Sequence, residues 1–180
     1  MFKKKVFTLS LAAAFALASQ SALAATATTT IPVTASVSAG CTISVGATPL
    51  AFGAYDPIGA NATAPLTTVG SVIVTCAKNS AGTLTIGMGP GLNFLTTRQL
   101  KSGTDTLAYD VGQPSTNAAG ATCTFPATTA WNTTGAGVLT LTSPPSKAPR
   151  SYNICGSIPG GQDAAAGATY TDTITATINF

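Results

Sequence analysis

The sequence predicts an all-β protein, and three observations support this. Short runs rich in β-branched and aromatic residues recur along the chain, separated by residues with turn chemistry. No stretch after residue 24 shows the apolar spacing and the caps of an amphipathic helix. The last residues, YTDTITATINF, alternate between apolar and polar side chains. Many short strands with frequent turns indicate a sandwich or a barrel.

The final stretch, residues 170–180, is predicted to be a strand with one apolar face. Side chains of a strand point alternately to its two faces. Threonines and Asn179 fall on one face. The other face carries Tyr170, Ile174, Ala176, Ile178 and Phe180. Because an unpaired strand edge exposes N–H and C=O groups that can pair with another chain, we expect this strand to be paired on both sides.

A second alternating stretch, residues 25–38, lies near the other end of the chain. It reads ATATTTIPVTASVS and carries no charge. Its apolar positions share one face and include Ile31, Val33, Ala35 and Val37. The free N-terminal segment of a protein is usually polar and disordered, whereas this one has the pattern of a strand. We therefore expect it to pair with a partner.

The first 24 residues have the form of a secretory signal peptide. Lys3, Lys4 and Lys5 precede an apolar run over residues 6–18, and Ala22-Leu23-Ala24 is a small-residue cleavage site. The run is too short for a stable membrane span. We expect cleavage after Ala24 and export to the periplasm, leaving 156 residues, which suits one domain.

Charge gives no indication of a nucleic-acid or acidic-lipid partner. Three of the eight Lys and Arg residues lie in the signal, and the remaining five balance five Asp, with no Glu. The net charge of +3 therefore belongs to the signal, and no basic patch remains. Low net charge is compatible with self-association.

Internal strands and turns follow from the same patterns. Hairpin connections are expected over residues 78–82 and around Ser102-Gly103. The predicted strands cover residues 42–45, 50–52, 69–76, 83–88, 98–101, 106–111, 137–142 and 150–158.

The four cysteines indicate two disulfides. An even count behind a signal peptide is typical of an oxidising compartment, and there is neither a Cys-x-x-Cys pair nor a histidine for a zinc site. Three pairings are open. Moderate loop lengths favour Cys41–Cys76 and Cys123–Cys155.

The sequence offers little for catalysis. Without histidine, the usual general base and the Ser-His-Asp arrangement are excluded. The five aspartates mostly sit next to Gly, Pro or Thr, where they typically stabilise turns. No phosphate-binding loop is present. We expect no enzymatic activity, no cofactor and no metal.

Several motifs together resemble the spore coat protein U family, which includes subunits of archaic chaperone–usher pili. They are an alternating N-terminal strand running into Gly40-Cys41, LAFGAYDP at residues 50–57, GSVIVTCAKN at residues 70–79 and LAYDV at residues 107–111. The closing segment, CGSIPGGQDAAAGATYTDTITATINF at residues 155–180, carries the most specific part of the resemblance.

This resemblance implies an incomplete immunoglobulin-like β-sandwich that lacks its final strand. A periplasmic chaperone would lend a strand to the groove. At the outer-membrane usher, the N-terminal strand of another copy or of a related pilin would replace it. The layout would be a signal peptide at 1–24, a donor strand at 25–40 and a pilin domain at 41–180, in a surface fibre supporting adhesion or biofilm formation.

The implied donor plugs are Ile31, Val33, Ala35 and Val37, and residues 170–180 would border the groove. Pro32 lies among these plugs and cannot donate a ladder hydrogen bond. The register of the donor around Pro32 is therefore open.

Three alternatives belong to other classes. A secreted sandwich lectin would use Trp131 and Tyr55 to stack on a sugar and would be a stable monomer, whereas a pilin would form oligomers through its N-terminus. A spore or outer coat protein shares the family resemblance. A small outer-membrane β-barrel would need strands of about 9–11 residues with aromatic girdles, and the runs here are shorter.

Overall fold

The computed structural model describes residues 26–80 and 83–180. The predicted signal peptide lies outside these residues. The strands are β1 (Cys41–Val45), β2 (Leu66–Cys76), β3 (Thr85–Met88), β4 (Arg98–Ser102), β5 (Asp105–Gly112), β6 (Leu139–Thr140), β7 (Arg150–Ile158) and β8 (Ala176–Asn179). Within the described residues the helical content is one 3-10 turn, Gly135–Gly137, and no helix is long and apolar enough to cross a membrane.

The strands form two antiparallel sheets packed as a sandwich, which confirms the predicted all-β class. The larger sheet has the order β1-β2-β7-β5-β4, and the smaller has the order β6-β3-β8. Alternate residues of β2, β5 and β7 face inward, as do those around β3. They form the buried core, which includes Val72, Val74, Leu84, Ile86, Met88, Leu107, Val111, Trp131, Tyr152, Ile154 and Ile158.

Two disulfides are present, as the cysteine count predicts. Cys41 joins Cys76, which is its direct cross-strand partner in the β1–β2 pair. Cys123 joins Cys155, so the long loop before Trp131 is fixed to β7. These are the pairings that loop length favours. The first one ties the edge strand β1 to its neighbour β2 in the larger sheet.

The hairpin predicted for residues 78–82 is wrong. β2 and β3, on either side of it, belong to different sheets and are not paired with each other. Residues 81 and 82 of the predicted hairpin lie outside the described residues. The backbone turns at Asn79, which has a positive φ of 53° and donates its N–H to the carbonyl of Pro144 at 2.8 Å. By contrast, β4 and β5 form the hairpin expected around Ser102-Gly103, with Ser102 paired to Asp105.

The strand predicted at residues 50–52 forms no ladder. Leu50 and Phe52 instead lie over two glycines of the larger sheet. A Cβ on Gly70 would lie 3.0 Å from the Leu50 nitrogen, and a Cβ on Gly156 would lie 2.7 Å from Leu50 Cδ1. The glycines let these side chains pack flat on the sheet, where Phe52 makes an edge contact with Tyr109 at 5.9 Å between ring centroids.

Two other predicted strands are shorter than expected. In residues 137–142 the regular strand is β6, Leu139–Thr140, which follows the 3-10 turn. In residues 170–180 it is β8, Ala176–Asn179, although Thr171 also forms an antiparallel bridge with Lys101. Residues 173 and 175 of that stretch instead accept hydrogen bonds from the loop after β3, and these bonds do not form a regular strand ladder.

Contacts divide the chain into two units, Met1–Ser36 and Val37–Phe180. In the first unit, the described residues 26–36 form neither helix nor strand and are exposed. The second unit contains both sheets and the core.

Candidate functional site: a groove beside the C-terminal strand

The C-terminal stretch is hydrogen-bonded along one edge for most of its length. β8 pairs with β3, and Gly89 N–H continues this line with a 2.8 Å bond to the carbonyl of Thr175. Leu92 N–H donates to the carbonyl of Thr173 at 3.1 Å, and Lys101 N–H donates to that of Thr171 at 2.9 Å. The bonded groups on this edge therefore belong to odd-numbered residues of the stretch.

The opposite edge of the same stretch has no backbone partner among the described residues. β8 is the last strand of its sheet, and no backbone bond outside the regular strands involves Asp172 or Ile174. The N–H and C=O groups of successive strand residues point to opposite edges. The groups of the even-numbered residues therefore point to the open edge.

A groove with apolar walls runs beside this open edge. One cavity of about 690 Å³ lies between residues 50–55 and residues 164–172, and its apolar walls include Leu50, Phe52, Leu100, Leu107, Ile158 and Tyr170. A second cavity of about 360 Å³ lies between β1 and residues 174–176, with Ile43, Val72, Met88, Ile154 and Ile174 in its walls. Leu50 lines both cavities, so they are two parts of one groove.

The even-numbered residues of the C-terminal stretch face the core side of this groove. The side chains of Tyr170, Ile174, Ala176 and Ile178 are half-buried and pack against the core. Phe180 is 57% exposed. Such a face has apolar contact on its inner side and unpaired backbone on its edge, which is what an added strand would need.

The four residues singled out as donor plugs are exposed. Ile31 is 79% exposed, Val33 92% and Val37 89%, and Ala35 is also exposed. Their spacing at every second position would place these apolar side chains on one face if the segment were a strand.

Tyr170 is anchored at the start of the C-terminal stretch by Asp105. The Tyr170 hydroxyl donates to Asp105 Oδ2 at 2.5 Å, and the N–H of Ala165 donates to the same oxygen at 2.7 Å. These donors favour the ionised carboxylate, so they lower the pKa of Asp105, and the bond to Asp105 raises the pKa of Tyr170. The hydrogen bonds hold residues 165–170 over one end of the groove.

We expect this anchor to weaken in acid. Because the folded state lowers the pKa of Asp105, its contribution to stability is present above the ordinary carboxyl pKa of about 3.9 and is lost as pH falls through the folded value. A carbon NMR titration of the Asp105 carboxyl should report the low value. Tyr170→Phe should raise the pKa of Asp105 toward 3.9, whereas Asp110→Asn should leave it in place. An unchanged pKa in Tyr170→Phe would contradict the anchor.

Asp172 is the carboxylate that borders the groove. Its Oδ2 accepts a 2.7 Å bond from the Tyr109 hydroxyl and its Oδ1 accepts a 3.1 Å bond from the N–H of Asn93. Burial is the larger cause that raises the pKa of Tyr109, and the hydrogen bond to Asp172 is the next largest. Gly91 is required nearby, because its φ is +102° and a Cβ there would lie 2.2 Å from Asp172 Oδ2. Asp172 thus fixes the loop after β3 against the C-terminal stretch.

The buried guanidinium of Arg98 also holds the loop after β3 through hydrogen bonds. Arg98 Nη2 donates to the carbonyls of Trp131 at 2.7 Å, Gly89 at 2.8 Å and Met88 at 3.2 Å. Burial lowers the pKa of Arg98. This role of Arg98 was not predicted from the sequence, because one arginine in a strand of mixed polarity suggests a solvent-facing side chain. The one sequence signal for a buried Arg98 is its position in the alternation, because Arg98 falls on the same face of the strand as the apolar Leu100.

Three of the motifs quoted for the family resemblance meet in the structure, namely LAFGAYDP, LAYDV and the closing segment. The hydroxyl of Tyr55, from LAFGAYDP, donates to the carbonyl of Pro159 at 3.0 Å and accepts from the N–H of Gln162 at 2.9 Å. The Gln162 side chain accepts from Ala108 N–H at 2.7 Å and donates to Ala108 O at 2.9 Å, as a strand neighbour would. This network closes the end of the larger sheet beneath the groove.

The two aromatic residues that the lectin hypothesis would use to stack on a sugar are engaged inside the protein. Trp131 is fully buried in the core, and its indole N–H donates to the carbonyl of Ile86 at 2.8 Å. Tyr55 is half-buried and committed to the network around Gln162. Among residues 26–80 and 83–180, no cluster of three or more Cys, Asp, Glu or His residues could hold a metal.

Comparisons with known proteins bear on the fold and on the family of the chain. The chain is similar to a chain in the crystal structure of the CsuC–CsuE chaperone–tip adhesion subunit pre-assembly complex, from archaic chaperone-usher Csu pili of Acinetobacter baumannii. The two share 22% sequence identity with a TM-score of 0.50, which shows likeness of fold. The match covers 80% of this chain but 40% of that one, so this chain corresponds to less than half of its length.

A search of curated proteins gave no match. The family model of the Spore Coat Protein U domain matches residues 27–177, which is most of the chain. The match includes the exposed N-terminal segment, β1 to β7 and the first part of β8. This protein belongs to the Spore Coat Protein U domain family.

Proposed function

We propose that the protein is the structural subunit of a secreted surface fibre that polymerises by donor-strand exchange. Residues 25–38 of one subunit would occupy the groove of the next and bond to the open edge of its C-terminal stretch. The observation that carries this proposal is that open edge beside an apolar groove, in a chain that also presents an exposed apolar segment. The open edge lacks a neighbouring strand, and the exposed segment lacks an apolar surface against which to pack.

The energetics favour such an exchange. Burying a side chain such as Val33 or Val37 stabilises a complex by roughly 1.5–3 kcal/mol, and several plugs would act together. Backbone bonds to the even-numbered residues of the C-terminal stretch would add affinity with little dependence on sequence. An unfilled groove, by contrast, leaves an edge that is prone to aggregation.

The proposed assembly partners are proteins that would keep the groove filled. A periplasmic chaperone would cover the groove after export, and an outer-membrane usher would mediate its exchange for the donor segment of another copy or a related pilin. The structural relative comes from a chaperone–subunit complex of an archaic chaperone-usher pilus, which supports this assignment. We place the fibre at the cell surface, where it would support adhesion or biofilm formation.

A pair of substitutions in the donor segment tests the proposal. Val33→Asp would place an unpaired charge in the groove, so we expect the yield of polymer to fall tenfold or more. Thr34→Asp changes the neighbouring residue, which is predicted to face outward, and should assemble within about threefold of the original protein. The readout is the ladder of oligomers that resist cold detergent, after co-expression with a chaperone and an usher. Equal yields from the two variants would contradict the proposal.

A further inference from the structure

The two ends of the sandwich carry opposite charges. After residue 24 the sequence contains five Lys and Arg residues and five Asp, which balance. β2 runs along the larger sheet from Leu66 to Cys76, and its 11 residues span roughly 33 Å. Three of the cations lie at the Cys76 end of β2, and three of the aspartates lie at the Leu66 end.

The basic end comprises three side chains: Lys78, Lys147 and Arg150. Lys78 lies in the turn after β2, and the N–H of Asn79 holds this turn to the carbonyl of Pro144 at 2.8 Å. Arg150 is the first residue of β7, and its Nη2 donates to the carbonyl of Ser146, next to Lys147, at 2.9 Å. Both lysines are exposed, so their charges are available to a partner.

The acidic end comprises three carboxylates: Asp56, Asp105 and Asp163. The pKa of Tyr170 is raised most by its hydrogen bond to Asp105 and less by the charge of Asp163, so both carboxylates lie near that tyrosine. Asp56 is exposed in the turn after Tyr55, whose hydroxyl accepts from the N–H of Gln162 in the same region. Lys101 and Asp110 are also exposed on the hairpin near this end, and their charges offset each other.

A short connection would bring the basic end of one copy close to the groove of another in the proposed fibre. The inserted segment ends at residue 38, and residues 39–40 connect it to Cys41, the first residue of β1. Fully extended, this connection reaches at most about 11 Å. The carbonyl of Gly40 accepts a 2.9 Å bond from the N–H of Ala77, so the connection enters its own sandwich at the basic end.

The groove that receives the segment is bordered by the acidic end. Its larger part is lined by Pro57, which follows Asp56, and by residues 164–169, which follow Asp163. The basic end of one copy would therefore lie beside a groove whose rim carries the opposite charge.

We propose that the acidic end of one copy is an interaction surface for the basic end of the next copy in the fibre. The inference rests on the proposed donor-strand exchange and adds to it a contact between the folded sandwiches. A single exposed ion pair contributes little, but complementary charged patches steer the approach of two surfaces and fix how they meet. Such a contact would limit bending at the short connection, and salt would weaken it.

Carbodiimide cross-linking of purified fibres tests the contact directly, because the reagent joins a lysine amine to a carboxylate without a spacer. We expect mass spectrometry to find links from the lysines of the basic end to carboxylates of the acidic end. Within one copy these groups lie at opposite ends of a strand of roughly 33 Å, so such a link must join two copies. Fibres that form without any such link would overturn the inference and leave the proposed function standing.

The stiffness of the fibres is a second readout. Raising the salt concentration from about 0.01 M to about 1 M shortens the screening length from about 30 Å to about 3 Å, so we expect the persistence length in electron micrographs to fall at least about twofold. The double variant Lys78→Gln, Lys147→Gln should form fibres in normal yield that are already flexible at low salt. Lys101→Gln removes an exposed cation away from the basic end and should behave like the original protein.

The outcomes separate this inference from the proposed function. A persistence length that salt does not change in the original protein, or that the double variant does not lower, overturns the contact between the two ends. If the original protein forms no polymer with chaperone and usher present, the proposed function itself fails, and the inference fails with it.

Discussion

Removing residues 25–38 should abolish polymer formation and leave a subunit that is soluble only with a chaperone. The described part of this segment contributes no strand to the two sheets, so the sandwich should still form. What the shortened subunit lacks is a donor for the next copy. Its own groove remains open, and unpaired edges beside apolar walls promote aggregation. Size-exclusion chromatography of the periplasmic fraction, with and without a co-expressed chaperone, measures both effects.

A synthetic peptide with the sequence of residues 25–38 should restore stability to the shortened subunit. A ligand that binds the folded state alone stabilises it by about 2.7 kcal/mol at a hundred times its dissociation constant. For a chain of this size that corresponds to a rise in Tm of roughly 5–10 °C. The same peptide with Val33→Asp is the matched control and should give no rise. A shortened subunit that is a stable, soluble monomer without chaperone or peptide would refute the open groove.

The alternation of side chains predicted much of this fold because it is a local property of strands. Val72 and Val74 in β2, and Ile86 and Met88 around β3, face inward as their parity predicts. The same parity placed Tyr170, Ile174 and Ala176 against the core. The bridge between Cys41 and Cys76 was also predicted from the sequence, from the moderate length of the loop that it closes.

What the sequence did not reveal depends on contacts between distant segments. Residues 78–82 carry turn chemistry, but nothing local distinguishes a hairpin from a crossing between sheets. Leu50 and Phe52 look like a strand, and their actual packing requires Gly70 and Gly156, more than fifteen residues away. Gln162 acts as a strand neighbour of Ala108 through its side chain, which no backbone pattern predicts.

The candidate site was predictable to a similar extent. Its apolar face follows from the parity of the C-terminal stretch, but its open edge depends on the order of strands in the smaller sheet. The supports of the loop after β3 were not predictable. Asp172 accepts a hydrogen bond from the N–H of Asn93, and Arg98 donates to the carbonyl of Gly89. Both contacts are made to the backbone of the loop, and backbone groups leave no trace in the sequence.

Arg98→Met should produce the largest loss of stability among single substitutions in the sandwich that we consider. Methionine fills much of the same space but donates no hydrogen bond. The carbonyls of Met88, Gly89 and Trp131 would each lose the guanidinium as a donor inside the protein. An unsatisfied buried group costs about 1–3 kcal/mol, although removing a buried charge offsets part of this. We expect a net loss of about 3–5 kcal/mol, or roughly 6–20 °C in Tm.

The loss should appear in the free energy of unfolding from urea titration, measured on the subunit with its groove filled by the peptide. Arg98→Lys should lie between the original protein and Arg98→Met, because an ammonium group cannot reproduce the planar fork of donors that reaches three carbonyls. Lys101→Met is the matched control: Lys101 is an exposed cation on the same strand, and its loss should change stability by less than about 0.5 kcal/mol. If Arg98→Met were as stable as Lys101→Met, the guanidinium would not support the loop that carries the bonded edge of the C-terminal stretch.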